Sequence, residues 1–242
     1  MDKLERLIFR GVHLDKNDTD RSGTEGSADK KRLKKGASSK KEDTNKQFYL
    51  IYGVLLVIVF FITYILLQRP GEPLRVVARF AATFGYLSIF LAILSSEYMA
   101  RMKKISGLPF LKAHHNLARI GILLILIHPL SLAIGGSGFG IFLPDFYPIS
   151  RFLMFGGKTA IYLFLLAAGI ALYRKRYRNW KKIHYLSYLA FLLVSAHALL
   201  IGSDFETEIM RILAFVMAVT VTGIFIHKRS GTKTKPRKNK SS

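Results

Sequence analysis

Six apolar runs divide this chain, at about residues 48–68, 76–96, 114–135, 152–173, 183–202 and 209–226. Each holds 18 or more residues, and a helix rising about 1.5 Å per residue needs roughly 20 to cross a hydrocarbon core of about 30 Å. A bilayer offers the backbone no water to bond, so a run of this kind must close its own hydrogen bonds as a helix. The first run, FYLIYGVLLVIVFFITYILL, carries no charge at all. It follows a long polar segment, which excludes a cleavable signal peptide. Half of the 242 residues are apolar, yet 37 Lys and Arg stand against 15 Asp and Glu. Those traits coexist only where charge is segregated from apolar mass, as it is here. The expectation is an all-α membrane protein, a six-transmembrane-helix bundle over 48–226, with tails at 1–47 and 227–242 and no separate soluble domain. There is no cysteine, which excludes disulfides, thiolate-ligated haem and cysteine-held iron–sulfur clusters.

The connecting segments alternate in sign. Residues 101–112 hold four cations, 174–182 hold six, and the segment after His227 holds seven, all without an acid. The other three connections are net +1 (69–75), zero (136–151) and −3 (202–208). By the positive-inside rule both termini are expected in the cytoplasm, in a plasma membrane. The third and fifth runs then go from inside to outside, in parallel.

Residues 14–47 are rich in Lys, Asp, Ser, Gly and Thr and are expected to be disordered. In residues 1–13, Leu4, Leu7 and Ile8 recur at helical spacing. A short interfacial helix, a docking element and a frayed terminus are the competing readings. The C-terminal cations are read as a topology signal that also binds anionic lipid, rather than a nucleic-acid site.

Five of the seven histidines fall in the third and fifth runs. An ionisable side chain within a membrane helix marks function by default; the bland reading is a hydrogen-bonding cross-link between helices. His114 and His128 are 14 residues apart, and His184 and His197 are 13 apart. Either spacing spans roughly 20 Å of helix. Two parallel helices therefore present histidines at two matching depths, His114 with His184 and His128 with His197. Facing imidazole pairs are what six-coordinate haem iron requires, so the pattern points to two stacked haems. Zinc or copper is an alternative, but bundle metal sites usually place ligands three or four residues apart, and no acid lies near these histidines in sequence.

Helical phase chooses among them only in part. Fourteen residues leave His114 and His128 about 40° apart, whereas His115 and His128 are about 140° apart. His114 is therefore the expected ligand and His115 is not. The same arithmetic puts His184 and His197 about 140° apart. Either a local irregularity such as a π-bulge brings them together, or they approach from different sides. Pro129 is a further candidate kink.

HHNLARIGILLILIH (114–128) and WKKIHYLSYLAFLLVSAH (180–197) resemble the doubled H-x13-H and W-x-x-x-H-x12-H segments of the ferric reductase-like transmembrane domain family. His114, Leu117 and Arg119 match the HRxLGR start found in small bacterial members. The family includes NADPH oxidases, ferric-chelate reductases and the haem-binding subunit of a bacterial methionine sulfoxide reductase. The resemblance covers about 48–226 and implies two haems b ligated by helices three and five. No Gly-rich FAD or NAD(P) motif is present, so the resemblance implies a stand-alone membrane module fed by another protein or a quinol.

Haem propionates are anionic and need cations. Arg79, Lys158 and Arg211 fall in the outer halves of their runs, with snorkelling to the surface as the alternative. Arg79 lies in ARFAA, which resembles the ARxxA stretch of NADPH oxidases. Arg119 is the candidate for the inner haem. Phe191 is midway between His184 and His197, either between the haems or plain core.

The expected function is a transmembrane electron-transfer cytochrome b, an oxidoreductase component that needs a separate donor. That donor is a cytoplasmic flavoprotein reductase or a membrane quinol, and the acceptor lies outside, as an extracytoplasmic protein or a small molecule. The competing readings are a quinol-linked di-haem cytochrome b, and a non-redox transporter or structural membrane protein.

Overall fold

The computed structural model describes residues 49–50, 53–106 and 110–231. The readings of 1–47 and of the terminal segment from 232 lie outside these residues. The chain divides into two compact units, Met1–Leu56 and Val57–Ser242. In the first, the described residues Tyr49, Leu50, Val54 and Leu56 are helical and exposed.

The described residues form helices and no strands. In order they are α1 (Gly53–Leu67), α2 (Pro73–Ser106), α3 (Phe110–Leu132), α4 (Ile149–Met154), α5 (Gly156–Leu172), α6 (Trp180–His184), α7 (Leu186–Ile201) and α8 (Glu208–Gly231). Four segments are long and apolar enough to cross a membrane: Pro73–Glu97, Leu111–Ser137, Trp180–Ile201 and Glu208–Ser230. The apolar helices Gly53–Leu67 and Gly156–Leu172 are shorter. The protein is thus all-helical with the character of a membrane protein, and four of the six expected crossings meet the length and composition of a span.

The fourth and fifth apolar runs are each broken once. Phe155 separates α4 from α5, and Tyr185 separates α6 from α7. α3 keeps Pro129 inside it, then widens into a π-turn at Ala133–Ser137 and a 3-10 turn at Phe139–Phe142. Gly136 and Gly138 take positive φ there (104° and 71°), which a side chain would resist.

α2 lies along α3, and α5 along α7. Small residues set both distances, because close backbone approach drives helix association where lipid is as apolar as leucine. A Cβ on Gly121 would meet Ile89 at 2.8 Å, and one on Gly85 would meet Ile125 at 3.2 Å. A Cβ on Gly156 would meet the Leu193 carbonyl at 2.9 Å. The buried centre gathers Ile62, Leu66, Tyr86, Phe164, Phe191, Met210 and Val221. One polar pin crosses it: the Tyr86 hydroxyl is 2.9 Å from Ser195 Oγ.

Candidate functional site

Four histidines repeat one arrangement. Nδ1 of His114 is 2.8 Å from the Ala92 carbonyl, and Nδ1 of His128 is 2.9 Å from the Ala78 carbonyl. Nδ1 of His184 is 2.9 Å from the Ala167 carbonyl, and Nδ1 of His197 is 2.7 Å from the Met154 carbonyl. A carbonyl only accepts, so each Nδ1 carries the proton. In its neutral form each ring then keeps its lone pair on Nε2, as does a metal-ligating imidazole whose orientation a carbonyl fixes.

The acceptors keep register. Moving 14 residues up α3, from His114 to His128, is matched by moving 14 down α2, from Ala92 to Ala78. Moving 13 up from His184 to His197 is matched by moving 13 down from Ala167 to Met154. Two antiparallel helix pairs thus each hold two histidines against one neighbour, at two levels.

The helix breaks bear on the 13-residue spacing in part. At Tyr185 the helix tightens: the Tyr188 N–H bonds the Tyr185 carbonyl and the Lys182 N–H bonds the Asn179 carbonyl, three residues back in each case. A 3-10 step turns about 120° rather than 100°, so the one between His184 and His197 recovers about 20° of the roughly 140° that an ideal helix lacks. The irregularity at Tyr185 is a tightening rather than a π-bulge, and the π-turn lies instead at Ala133–Ser137. At the other break the Lys158 N–H bonds Phe155 O at 3.0 Å, one residue short of the regular acceptor, Met154. That leaves the Met154 carbonyl to His197. Gly157 makes room for the ring: a Cβ there would meet His197 Cδ2 at 3.0 Å.

The first level brings two rings together. The His114 and His184 ring centres are 6.4 Å apart, with planes at 79°. Two imidazoles binding one metal from opposite sides, at N–metal distances of about 2 Å, have centres roughly 6 Å apart. At the second level His128 lies within electrostatic range of His197 and of Asp204. His115 is 5.8 Å from His114 ring to ring, and makes no such carbonyl bond among the described residues. Among the described residues no three His, Cys, Asp or Glu gather as a metal cluster. The donor set thus fits paired bis-imidazole sites better than a zinc or copper site.

Between the levels, Phe191 is fully buried and stacks on Tyr86, with centroids 4.9 Å apart and planes at 12°. The candidate propionate cations have other partners here. Arg79 bonds Asp204 at 2.5 Å, the Arg69 carbonyl at 2.7 Å and the Leu66 carbonyl at 3.3 Å. Lys158 bonds Asp145 at 2.8 Å. Arg211 lies 3.9 Å from Glu208. Arg119 is exposed and has no ion pair among the described residues.

Several working groups were not singled out from sequence. The carbonyls that fix the histidines belong to Ala and Met and carry no sequence signal. Asp204, the partner of Arg79, stands in an acidic connection that reads as a topology feature. Lys228 reads as part of the basic tail, yet α8 continues to Gly231 and Lys228 Nζ reaches Glu97 at 2.9 Å and the Tyr188 hydroxyl at 3.1 Å.

No family model, no curated protein and no solved structure matches this chain.

Proposed function

We propose that this chain is a transmembrane electron carrier with six crossings, holding two haems b between the third and fifth of them, as its resemblance to the ferric reductase-like transmembrane domain family implies. The observation that carries the reading is the repeated His Nδ1–H to carbonyl bond, in constant register on two helix pairs. Bound haem supplies reversible one-electron chemistry at iron.

The residues of the chain do the rest. His114 and His184 hold the cytoplasmic-side level, and His128 and His197 hold the outer level. The four carbonyls orient the imidazoles and raise their basicity. Phe191 and Tyr86 fill the gap between levels and exclude water. Arg79, Lys158 and Arg119 are the candidate cofactor cations, the first two in competition with Asp204 and Asp145. Segments 101–112 and 174–182 adjoin the His114 and His184 level, and their cations would attract an acidic flavoprotein donor by long-range steering. A membrane quinol is the other donor class. In this reading both termini lie in the cytoplasm and the bundle in the plasma membrane, with anionic lipid against the basic segments.

A reduced-minus-oxidised spectrum of the purified chain, with haem and protein both quantified, tests this. The expected result is a low-spin b-type band and two haems per chain. Absence of the band after expression with ample haem removes the reading. A wild-type ratio of one removes the two-level assignment. Insensitivity of reduction to salt and to Arg174→Gln, Lys175→Gln, Arg176→Gln and Arg178→Gln together removes the flavoprotein donor and favours quinol.

A further inference from the structure

The connection between α3 and α4 is apolar where a water-facing connection would be polar. Phe139, Leu143, Phe146 and Tyr147 are 67%, 69%, 69% and 88% exposed, and residues 136–151 carry only Asp145 and Arg151. Two bonds fold this segment back along α5. The Tyr162 hydroxyl donates to the Phe142 carbonyl at 2.9 Å, and Lys158 Nζ meets Asp145 at 2.8 Å. Tyr162 is itself exposed, so the loop lies on the outward face of α5 and not in the bundle core.

The same bonds fix its depth. Tyr162 is eight residues beyond Met154, or about 12 Å along the helix. Helical side chains lean toward the N-terminus, and the phenol reaches back roughly 5 Å, one turn. The Phe142 carbonyl therefore sits level with the Met154–His197 contact or deeper. The two histidine levels are roughly 20 Å apart. Centred in a core of about 30 Å, each lies about 5 Å inside the hydrocarbon boundary.

We propose that residues 139–147 form a membrane-inserted loop, in the leaflet on the His128 and His197 side, with lipid as the partner of its aromatic face. Irregular backbone survives at that depth only where its polar groups are paired, and the turn before Pro144 has several of its groups paired. The Leu143 N–H bonds Gly140 O at 3.1 Å and the Gly138 N–H bonds Ala133 O at 3.3 Å. Tyr162 takes the Phe142 carbonyl, and Lys158 neutralises the one acid. Tyr147 matches the Tyr and Trp enrichment of the bilayer interface, and the phenylalanines supply apolar area. The inference needs the membrane character of the helices but not the haems.

The test uses the absence of cysteine, which makes any introduced thiol unique. Phe146→Cys, Phe139→Cys and Tyr147→Cys are each labelled with an environment-sensitive nitrobenzoxadiazole probe. The full chain is placed in phosphatidylcholine–phosphatidylglycerol nanodiscs, which leave both faces open to water. Leu166→Cys on the exposed face of α5 is the lipid reference, and Glu206→Cys is the water reference. At positions 139 and 146 the emission is expected to be blue-shifted, and quenched by spin-labelled lipid rather than iodide, as at Leu166. Tyr147, the most exposed of the three, supplies the reading if a phenylalanine variant does not fold. Iodide-quenched, red-shifted emission like that of Glu206 at these positions overturns the proposal and leaves a surface for a soluble partner.

Discussion

Arg79 separates two physical accounts of the same residue, and its partner Asp204 provides the lever. The pair is largely buried, with side chains 16% and 9% exposed and atoms 2.5 Å apart. Arg79 also satisfies the carbonyls of Arg69 and Leu66, so one guanidinium fastens the end of α1, the start of α2 and the segment before α8. Removing one partner of a buried pair costs about 3–5 kcal/mol, because the other charge is left uncompensated. Asp204→Asn keeps the shape and leaves Arg79 its two carbonyls, so the low end applies, about 3 kcal/mol. Arg79→Leu strands the Asp204 carboxylate and the Arg69 carbonyl, an orphaned carbonyl being worth about 1–3 kcal/mol, while the Leu66 carbonyl keeps the Arg69 N–H; it is expected to cost more than Asp204→Asn. Arg79→Leu with Asp204→Leu removes both charges and is expected to recover part of that loss. Unfolding of the purified chain in bicelles, followed by circular dichroism, gives the order directly. A clasp predicts wild type above Asp204→Asn above Arg79→Leu, with the double variant above Arg79→Leu. If Arg79→Leu is as stable as wild type but loses one haem, the clasp is refuted and Arg79 is a propionate ligand.

Other outcomes follow from the site. His115→Leu is expected to keep both haems while His114→Leu loses the inner one, read from haem-to-protein ratios; the reverse pattern refutes the facing argument. Gly157→Ala drives a methyl against the His197 ring, which its bond to Met154 prevents from yielding. It is expected to lower haem content from two to one with the helical spectrum intact, and a full complement refutes the assigned contact.

The helical character of the described residues was legible because lipid leaves few choices. A charge-free run such as 48–68 has only the helix available in a bilayer, so composition alone forces the helical character. The 14-residue step from His114 to His128 was legible for the same reason: a regular helix has a fixed pitch, and both rings do face α2. The 13-residue step from His184 to His197 was not, because the helix is interrupted at Tyr185 by a tightened turn that no residue type announces. Nor were the carbonyl partners, since Ala78, Ala92, Met154 and Ala167 act through backbone that any residue would supply.

Arg79 shows the boundary between the two kinds of information. Its sequence determines a cation in an apolar run, which must find an anion or a surface. Which anion it finds depends on a residue 125 positions away, brought close only when α2 and the segment before α8 share one end of the bundle. Local chemistry set which groups require partners; tertiary packing set which partners they have, because distance along a chain says nothing of distance in space once the helices have packed.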